Sequence, residues 1–589
     1  VLGGPQASVV DIATLQAFPF IDLILRGEAD ASFPILLEEL QRPTPRFDQV
    51  PGLTHKNGHR VVRNKDAALV ADLDKLPLPA FDLDGDLSET QSIPLEIGRG
   101  CPFACTFCST NDFFRRRFRL KSPATIIDQM RFLSRTHGHN LFDLTHDLFT
   151  VDRKKVEEFC YALIDSGERF RWSCSARTDC IDEPLVGLMK KAGCSGLFYG
   201  IESGSPRMQK IIAKNLDLEH ARQMVRAAEQ HGIETTVSQI MGYPEETRDD
   251  LELSFEFFLE SLASKRATPQ LNLLAPLAGT PICREYFDQL ELHDLCSEVS
   301  RQGLLEDPVE RLLIAAHVDI FPNFYLLPTQ FLDGPTLLEL SVFFEMAQQR
   351  LRWLLLALHR ALPRDLVFQL VLDWVEQRRE LHPEVSVREL RHYYAKMQFR
   401  WEFVDLVRAR NTIWGDSAIE ALCDCEQFAK SCDAADSDEP ESDDDGDDAA
   451  SYPRRCRNVH VFEVNWDMSA ILRMLQQGKS EEDLRGRNAY ITRAGRENNW
   501  SLIKVPRPVA DLVEWCDGSK TLEQITSRFR STHGNWQGFD AALICQTVVN
   551  DYLQQGLLRM DRRISREDAI HAGGHSNLEY ISRSVEASA

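Results

Sequence analysis

Cys101, Cys105 and Cys108 fall within eight residues of one stretch, 97–118, which reads IGRGCPFACTFCSTNDFFRRRF. Thiols this close can form a disulfide, close part of a zinc site, hold an iron–sulfur cluster, or sit together by coincidence. A Cys105–Cys108 disulfide would leave the third thiol over, and a reducing compartment disfavours it. Structural zinc takes four protein ligands, commonly as two separated pairs, and no second CxxC or HxxxH pair stands nearby. Three thiolates on one loop suit a four-iron cluster. The protein then holds three irons, and the fourth is open to a small molecule. Gly98 and Gly100 let the chain turn off a preceding strand at little steric cost. Arg115, Arg116 and Arg117 follow, either as a solvated basic face or as contacts to an acidic substrate.

The 589 residues exceed what one hydrophobic core holds, so two to four domains are expected. The formal net charge is −23, and ten acidic residues without a Lys or Arg lie between Asp433 and Asp448. That balance argues against a general nucleic-acid binder. No run of about 18 apolar residues predicts a membrane span, and no signal peptide opens the chain. The 15 cysteines are odd in number and irregularly spaced outside the cluster, which fits a reducing cytoplasm. The chain opens on Val1 with VLGGP, a strand running into a turn, so the sequence is expected to be a fragment.

A cysteine loop needs elements to aim it. Strands and helices alternate from 93 to 285, with candidate strands at 94–97, 142–145, 171–175, 196–200, 234–241 and 270–275. Helical patterns at 124–136, 153–166, 183–192 and 218–232 lie between them. Six β/α units predict a parallel sheet curled into a full or partial barrel, with its chemistry at the C-terminal strand ends. The cysteines follow the first strand, at that end. Residues 1–42 read as strand, Gly-Gly, helix, strand and helix, the tail of an open α/β sheet, with 21–25 a buried parallel strand. Residues 300–430 are helical, as scaffold or as a lid over the barrel mouth. The segment CDAADSDEPESDDDGDDAAS is expected to be a disordered linker. NVHVFEVNW after it is a strand candidate. From 486 the text predicts two short strands, three helices and a short strand, with Thr521 an N-cap and Gln524 three residues on. Cys160, Cys174, Cys180 and Cys194 are expected as core thiols.

CxxxCxxC after the first strand of such a barrel resembles the radical S-adenosylmethionine (SAM) superfamily. The resemblance covers 93–285 and rests on five segments: the cysteines with Phe107, LFDLTHDLFT, SCSARTDCID, LFYGIESGS and SQIMGYPEE. The last matches a GxIxGxxE pattern through Ile240, Gly242 and Glu245, with Ser238 in place of the first glycine. It implies that Cys101, Cys105 and Cys108 ligate a 4Fe–4S cluster. It implies SAM contacts from Phe107 near the adenine, Asp147 to the amino group, Arg177, Glu202 and Ser203 toward ribose and carboxylate, and Ile240. It also implies reductive cleavage of SAM to a 5′-deoxyadenosyl radical, with electrons from a donor such as flavodoxin or ferredoxin.

Two flanking resemblances complete the expectation. VLGGP with LRGEADASFPILLEEL is similar to the end of the cobalamin-binding domain found before many radical SAM domains, where Gly3 and Gly4 would lie along the nucleotide tail. PVADLVEWCDGSKTLEQITSRF resembles the pyrroloquinoline-quinone D-type winged helix, which takes a peptide leader as an edge strand. The fold class is thus α/β, a partial (β/α)6 radical SAM barrel. The end of a Rossmann-like cobalamin-binding domain precedes it, and a helical region and a small winged-helix module follow. The expected divisions are 1–45 for the truncated cobalamin-binding domain, 46–92 connector, 93–285 barrel and 286–430 helical extension. They continue with 431–452 acidic linker, 453–485 strand–helix connector, 486–565 winged-helix module and 566–589 tail. The implied function is cobalamin-associated modification of a ribosomally made peptide by C-methylation. The alternatives are a cyclase or rearrangement enzyme for a small-molecule natural product, or a non-catalytic peptide-binding scaffold.

Overall fold

A computed structural model describes residues 1–83, 90, 92–297, 308–436, 452–456, 459–477, 485–494, 500–555 and 557–560. Most of the expected acidic linker and all of the expected tail at 566–589 lie outside these residues. The chain divides into two compact units. The first is Val1–Gln348 with Leu362–Ala395, and the second is Gln349–Ala361 with the described residues from Lys396 onward.

The first unit is built on six parallel strands: β1 (Ile93–Glu96), β2 (Leu141–Thr145), β3 (Arg171–Ala176), β4 (Cys194–Glu202), β5 (Glu234–Met241) and β6 (Ala267–Leu273). Each pairs in parallel with its predecessor in the chain, so the sheet order is β6-β5-β4-β3-β2-β1. The sheet leaves β1 and β6 as edges, a partial barrel rather than a closed one. Pro94 and Pro269 occur in those two edge strands, where a missing N–H costs no ladder bond on the open side. Crossover helices α1 (Pro123–His137), α2 (Arg153–Asp165), α3 (Glu183–Lys191), α4 (Leu218–Gln230) and α5 (Arg248–Ser261) return the chain. Side-chain caps begin them: Ser122, Asp152, Asp182, Asp217 and Thr247 each accept a hydrogen bond from a first-turn N–H. Phe142, Trp172 and Tyr199 are fully buried with Phe159 and Val186 in one apolar core. Burying each large apolar side chain there contributes about 1.5–3 kcal/mol.

The N-terminal expectation needs correction. Residues 21–25 give a shorter strand, Leu23–Leu25, and its main partner is antiparallel, Leu53–Asn57, which hairpins onto Arg60–Arg63. Only the Leu2–Ile24 bridge is parallel, and a helix starts at Gly4. A three-residue run buried on both faces carries no signal for partner direction. This layer is tied to the barrel by charge. Arg119 donates to both oxygens of Glu28 and Arg99 to both of Asp30.

In the helical region, α6 (Gly334–Arg350) buries Leu337, Leu338, Leu340, Phe343 and Phe344. The Phe255 and Phe344 ring centroids lie 4.9 Å apart, which packs α6 on α5. In the second unit Val459–Trp466, Arg485–Ala494 and Trp500–Val505 form an antiparallel sheet, so NVHVFEVNW contributes its first strand. Helices Arg507–Trp515, Leu522–His533 and Ala541–Gln554 follow, and the final strand Leu558–Met560 pairs with Pro453–Arg455. Thr521 and Gln524 form the capping box that their spacing predicts. No described helix is long and apolar enough to cross a membrane.

Candidate functional site

The cysteine loop leaves β1 through two glycines with distinct jobs. A Cβ at Gly98 would stand 2.3 Å from the His146 ring and 2.5 Å from the Arg119 carbonyl. Gly100 has φ +84°, and a Cβ there would meet the Arg117 carbonyl at 2.2 Å. Both positions therefore exclude a side chain. The loop is stitched at three further points. Thr106 N–H donates to Ile212 O at 3.1 Å, and Thr106 O accepts from Ile282 N–H at 3.2 Å. Asn111 Nδ2 donates to Cys105 O at 3.0 Å. All three cysteines are free thiols. Burial pushes Cys101 up to about 11 and Cys105 upward; the Lys214 and Arg177 cations oppose the shift at Cys105.

Cys108 opens onto a cavity of about 630 Å³ that Phe107, Glu202 and Ile240 also line. Three residues expected at SAM thus meet one cluster cysteine around one space. Glu202 reaches it through a break in the sheet. The pairing Ser238–Gly200 is followed by Gln239–Glu202, so Ile201 has no partner on β5. Glu202 then takes φ +67°, a strained value for a residue with a Cβ. A bulge of this kind re-aims a side chain, and Gln209 Nε2 covers the freed carbonyls of Ile201 (2.8 Å) and Ser203 (2.7 Å). Lys214 Nζ donates to Glu202 Oε1 at 2.7 Å, and both are nearly buried. Phe107 packs edge-on against the buried Tyr243, with centroids 6.1 Å apart.

The other expected contacts do not line this cavity. Asp147 is a clamp on the cysteine loop: Oδ2 accepts from Gly100 N–H at 2.6 Å and Oδ1 from Thr110 Oγ1 at 3.1 Å. Arg177 is buried and forked onto Asp179 (2.9 and 2.8 Å), with Nη2 also donating to Lys214 O at 2.7 Å. Its guanidinium lies 3.8 Å from the centroid of Phe103, inside the cysteine loop. Ser203 is fully buried, and its Oγ is 3.1 Å from Ser254 Oγ. Arg115, Arg116 and Arg117 are exposed and away from the cavity, and Arg115 Nη2 donates to Ala67 O at 2.8 Å. Gly3 and Gly4 lie in the N-terminal layer, Gly4 with φ +91° and open space where a Cβ would stand. Cys160, Cys174 and Cys194 are buried as expected, but Cys180 is half-buried, beside Asp179.

Several lining residues escaped the sequence: Gln270, Asn272, Ser341, Glu345 and Gln348. The only signal for Gln270 and Asn272 was the polar–apolar alternation of QLNL on β6. Lys214 had none, because it reaches Glu202 from a loop beyond the short helix Pro206–Ile211.

Among the described residues, no three or more His, Cys, Asp or Glu converge on a single metal-ion position. A cubane cluster binds each thiolate on a different iron, and three free thiols on one short loop are a donor set of that kind. The donor set and its setting therefore fit a four-iron cluster held by Cys101, Cys105 and Cys108.

Residues 95–258 match the Radical SAM superfamily model. An uncharacterised methyltransferase of Pyrococcus horikoshii is 29% identical over 261 residues, 44% of this chain and 57% of that protein. The anaerobic magnesium-protoporphyrin IX monomethyl ester cyclase of Cereibacter sphaeroides is 27% identical over 310 residues, 50% of this chain and 49% of that protein. The chain spans about half the length of these curated relatives. Among solved structures, the radical SAM methyltransferase TsrM from Kitasatospora setae aligns with a TM-score of 0.43 at 20% identity, over 49% of this chain and 59% of that one.

Proposed function

We propose that this chain, whose residues 95–258 form a radical SAM domain, holds a 4Fe–4S cluster on Cys101, Cys105 and Cys108 and cleaves SAM reductively to modify a bound substrate. The observation that carries this is the shared cavity: Cys108, Phe107, Glu202 and Ile240 line one space of about 630 Å³. When bound, the cluster supplies the single electron that breaks a carbon–sulfur bond of SAM. The chain's own residues hold the geometry. Phe107, fixed by Tyr243, offers a ring face for the adenine. Glu202, aimed by its bulge and held by Lys214, accepts from the ribose hydroxyls or the amino group. Asp147 and Arg177 act one step back: the first fixes the start of the cysteine loop and the second packs on Phe103.

The finer reading is a peptide C-methylase with cobalamin as methyl carrier and a winged-helix-like module that reads the leader. Cobalamin supplies the transferable methyl group. Gly3 and Gly4 are its proposed neighbours, since Gly4 leaves its backbone open. The module reading is supported by the three-stranded sheet and three following helices of the second unit. A second reading, radical cyclisation of a small molecule, is favoured by relatives named as magnesium-protoporphyrin ester cyclases.

The test is anaerobic reconstitution. Stoichiometric iron and sulfide, with 5′-deoxyadenosine formed from SAM and reductant, are expected. Protein that holds no cluster, or a Cys105→Ala variant that still cleaves SAM, defeats the reading. Methyl transfer to a precursor peptide encoded beside the gene separates methylase from cyclase.

A further inference from the structure

The cavity has a second wall that the SAM-side residues leave unused. Ser341, Glu345 and Gln348 stand at i, i+4 and i+7 on α6, so they share one face of the helix, and all three line the cavity. The strands add Ser238, Gln270 and Asn272. Asn272 Nδ2 donates to Ser238 Oγ at 3.2 Å, which orients the amide. Leu271, Leu273 and Phe198 supply apolar surface between these groups.

The charge inventory is one-sided. None of the described residues that line the cavity is Lys, Arg or His. The two ionisable carboxyls there are Glu202 and Glu345, and each is held by a cation that is not itself a lining residue. Lys214 holds Glu202, and Arg391 forks onto Glu345 at 2.8 and 3.2 Å. A phosphate or carboxylate brought against this wall would find no cationic side chain in the lining, since Lys214 and Arg391 are engaged by Glu202 and Glu345, an arrangement that disfavours anions. An ammonium would find carboxylates already neutralised by their partners. Amide and hydroxyl side chains that both donate and accept match a group that does the same. Such a site rejects a ligand that leaves its polar groups unpaired.

We propose that the substrate presents an uncharged carboxamide to this wall, read by Ser341, Glu345 and Gln348 of α6 together with Gln270 and Asn272 of β6. The inference rests on the radical SAM reading of the same cavity and narrows its substrate class. A peptide backbone or an Asn or Gln side chain carries the group required.

Two probes of nearly the same shape test it, 3-phenylpropanamide and 3-phenylpropanoate, which carry a carboxamide and a carboxylate at the same position. Each is dialysed to equilibrium against the full-chain holoenzyme at fixed ionic strength. The amide is expected to bind at least about tenfold tighter, the cost of an anion left without a cationic partner. Glu345→Lys places a cation in the cavity and should cut that ratio about tenfold. Gln270→Lys supplies the same charge from β6 and should move the ratio the same way, which keeps the test valid where one variant folds poorly. Equal binding, tighter binding of the carboxylate, no binding of either probe, or a ratio that neither variant moves overturns the proposal. Labelled SAM is dialysed against the same wild-type sample. SAM bound with equal probe affinities defeats the carboxamide inference alone. SAM unbound with the amide preference intact defeats the radical SAM reading alone.

Discussion

Glu202 sits at φ +67° beside a bulge, with its carboxylate on a nearly buried lysine. Such strain persists only where surrounding bonds over-determine it, and here Lys214 and Gln209 do so. Breaking a buried pair by removing one partner leaves the other charge uncompensated. Lys214→Met should therefore destabilise the protein by about 3–5 kcal/mol, read as a lower urea midpoint. The Glu202→Gln/Lys214→Met double variant should recover part of that loss. A double variant as unstable as Lys214→Met would show that the ion pair is not the cause. Gly100→Ala makes a sharper steric case, with the Arg117 carbonyl 2.2 Å from the new methyl group. Its iron content after anaerobic reconstitution should fall while far-UV circular dichroism is unchanged. At this scale the cysteine loop was legible because three thiols fall within eight residues of one loop. Glu202 was reachable through the motif after β4. Lys214 was not, since it is brought in by backbone with left-handed residues at Ala213 and Asn215 that no local pattern announces. Asp147 and Arg177 were placed near this loop by the motifs, and each has protein partners that no local pattern announces.

The connection from β5 to α5 shows what elements add. Gly242 N–H donates to Glu246 Oε2 at 2.9 Å inside the fold, and burial pushes the Glu246 carboxyl up to about 8 from an ordinary 4.5. The matching motif had pointed to Glu245, one residue earlier. Between those two values the folded state keeps a proton that the unfolded chain has released, so stability falls as pH rises from 4.5 through 8. Glu246→Gln removes that slope. Across pH 5 to 9 the urea midpoint of the variant should rise relative to wild type. A difference independent of pH would mean that the carboxyl ionises without penalty. The six barrel strands were legible because continuous apolar runs alternate with helical spacing over about 30 to 40 residues per unit. The N-terminal strand direction was not, for want of any polar face. Of the two readings of the arginine run, the exposed one fits: Arg115, Arg116 and Arg117 are exposed, none lines the cavity, and Arg115 and Arg116 take φ +50° and +55°.

At the scale of the whole chain, the proposed chemistry and the proposed leader recognition fall in different units, each with its own apolar core. The second unit has a cavity of about 620 Å³ lined by Glu463, Lys504, Arg507, Trp536 and Gln537. Its charges are of both signs, and Arg507 pairs with Glu463 and with Asp511. Trp536 is the large apolar group there, the kind of anchor that carries most of a peptide's binding energy. Among the described residues, those that line the cavity beside Cys108 all belong to the first unit. The two activities should therefore come apart under point substitution of the full chain. Trp536→Ala should weaken binding of the precursor peptide by about tenfold or more, while 5′-deoxyadenosine formation without peptide continues at the wild-type rate. Cys105→Ala should do the reverse, keeping peptide affinity and abolishing SAM cleavage. Fluorescence anisotropy of labelled precursor and chromatographic assay of 5′-deoxyadenosine, run on both variants, read the two axes separately. Unchanged peptide affinity in Trp536→Ala would move recognition away from this cavity. Substrate recognition would then rest on the carboxamide-reading wall of α6.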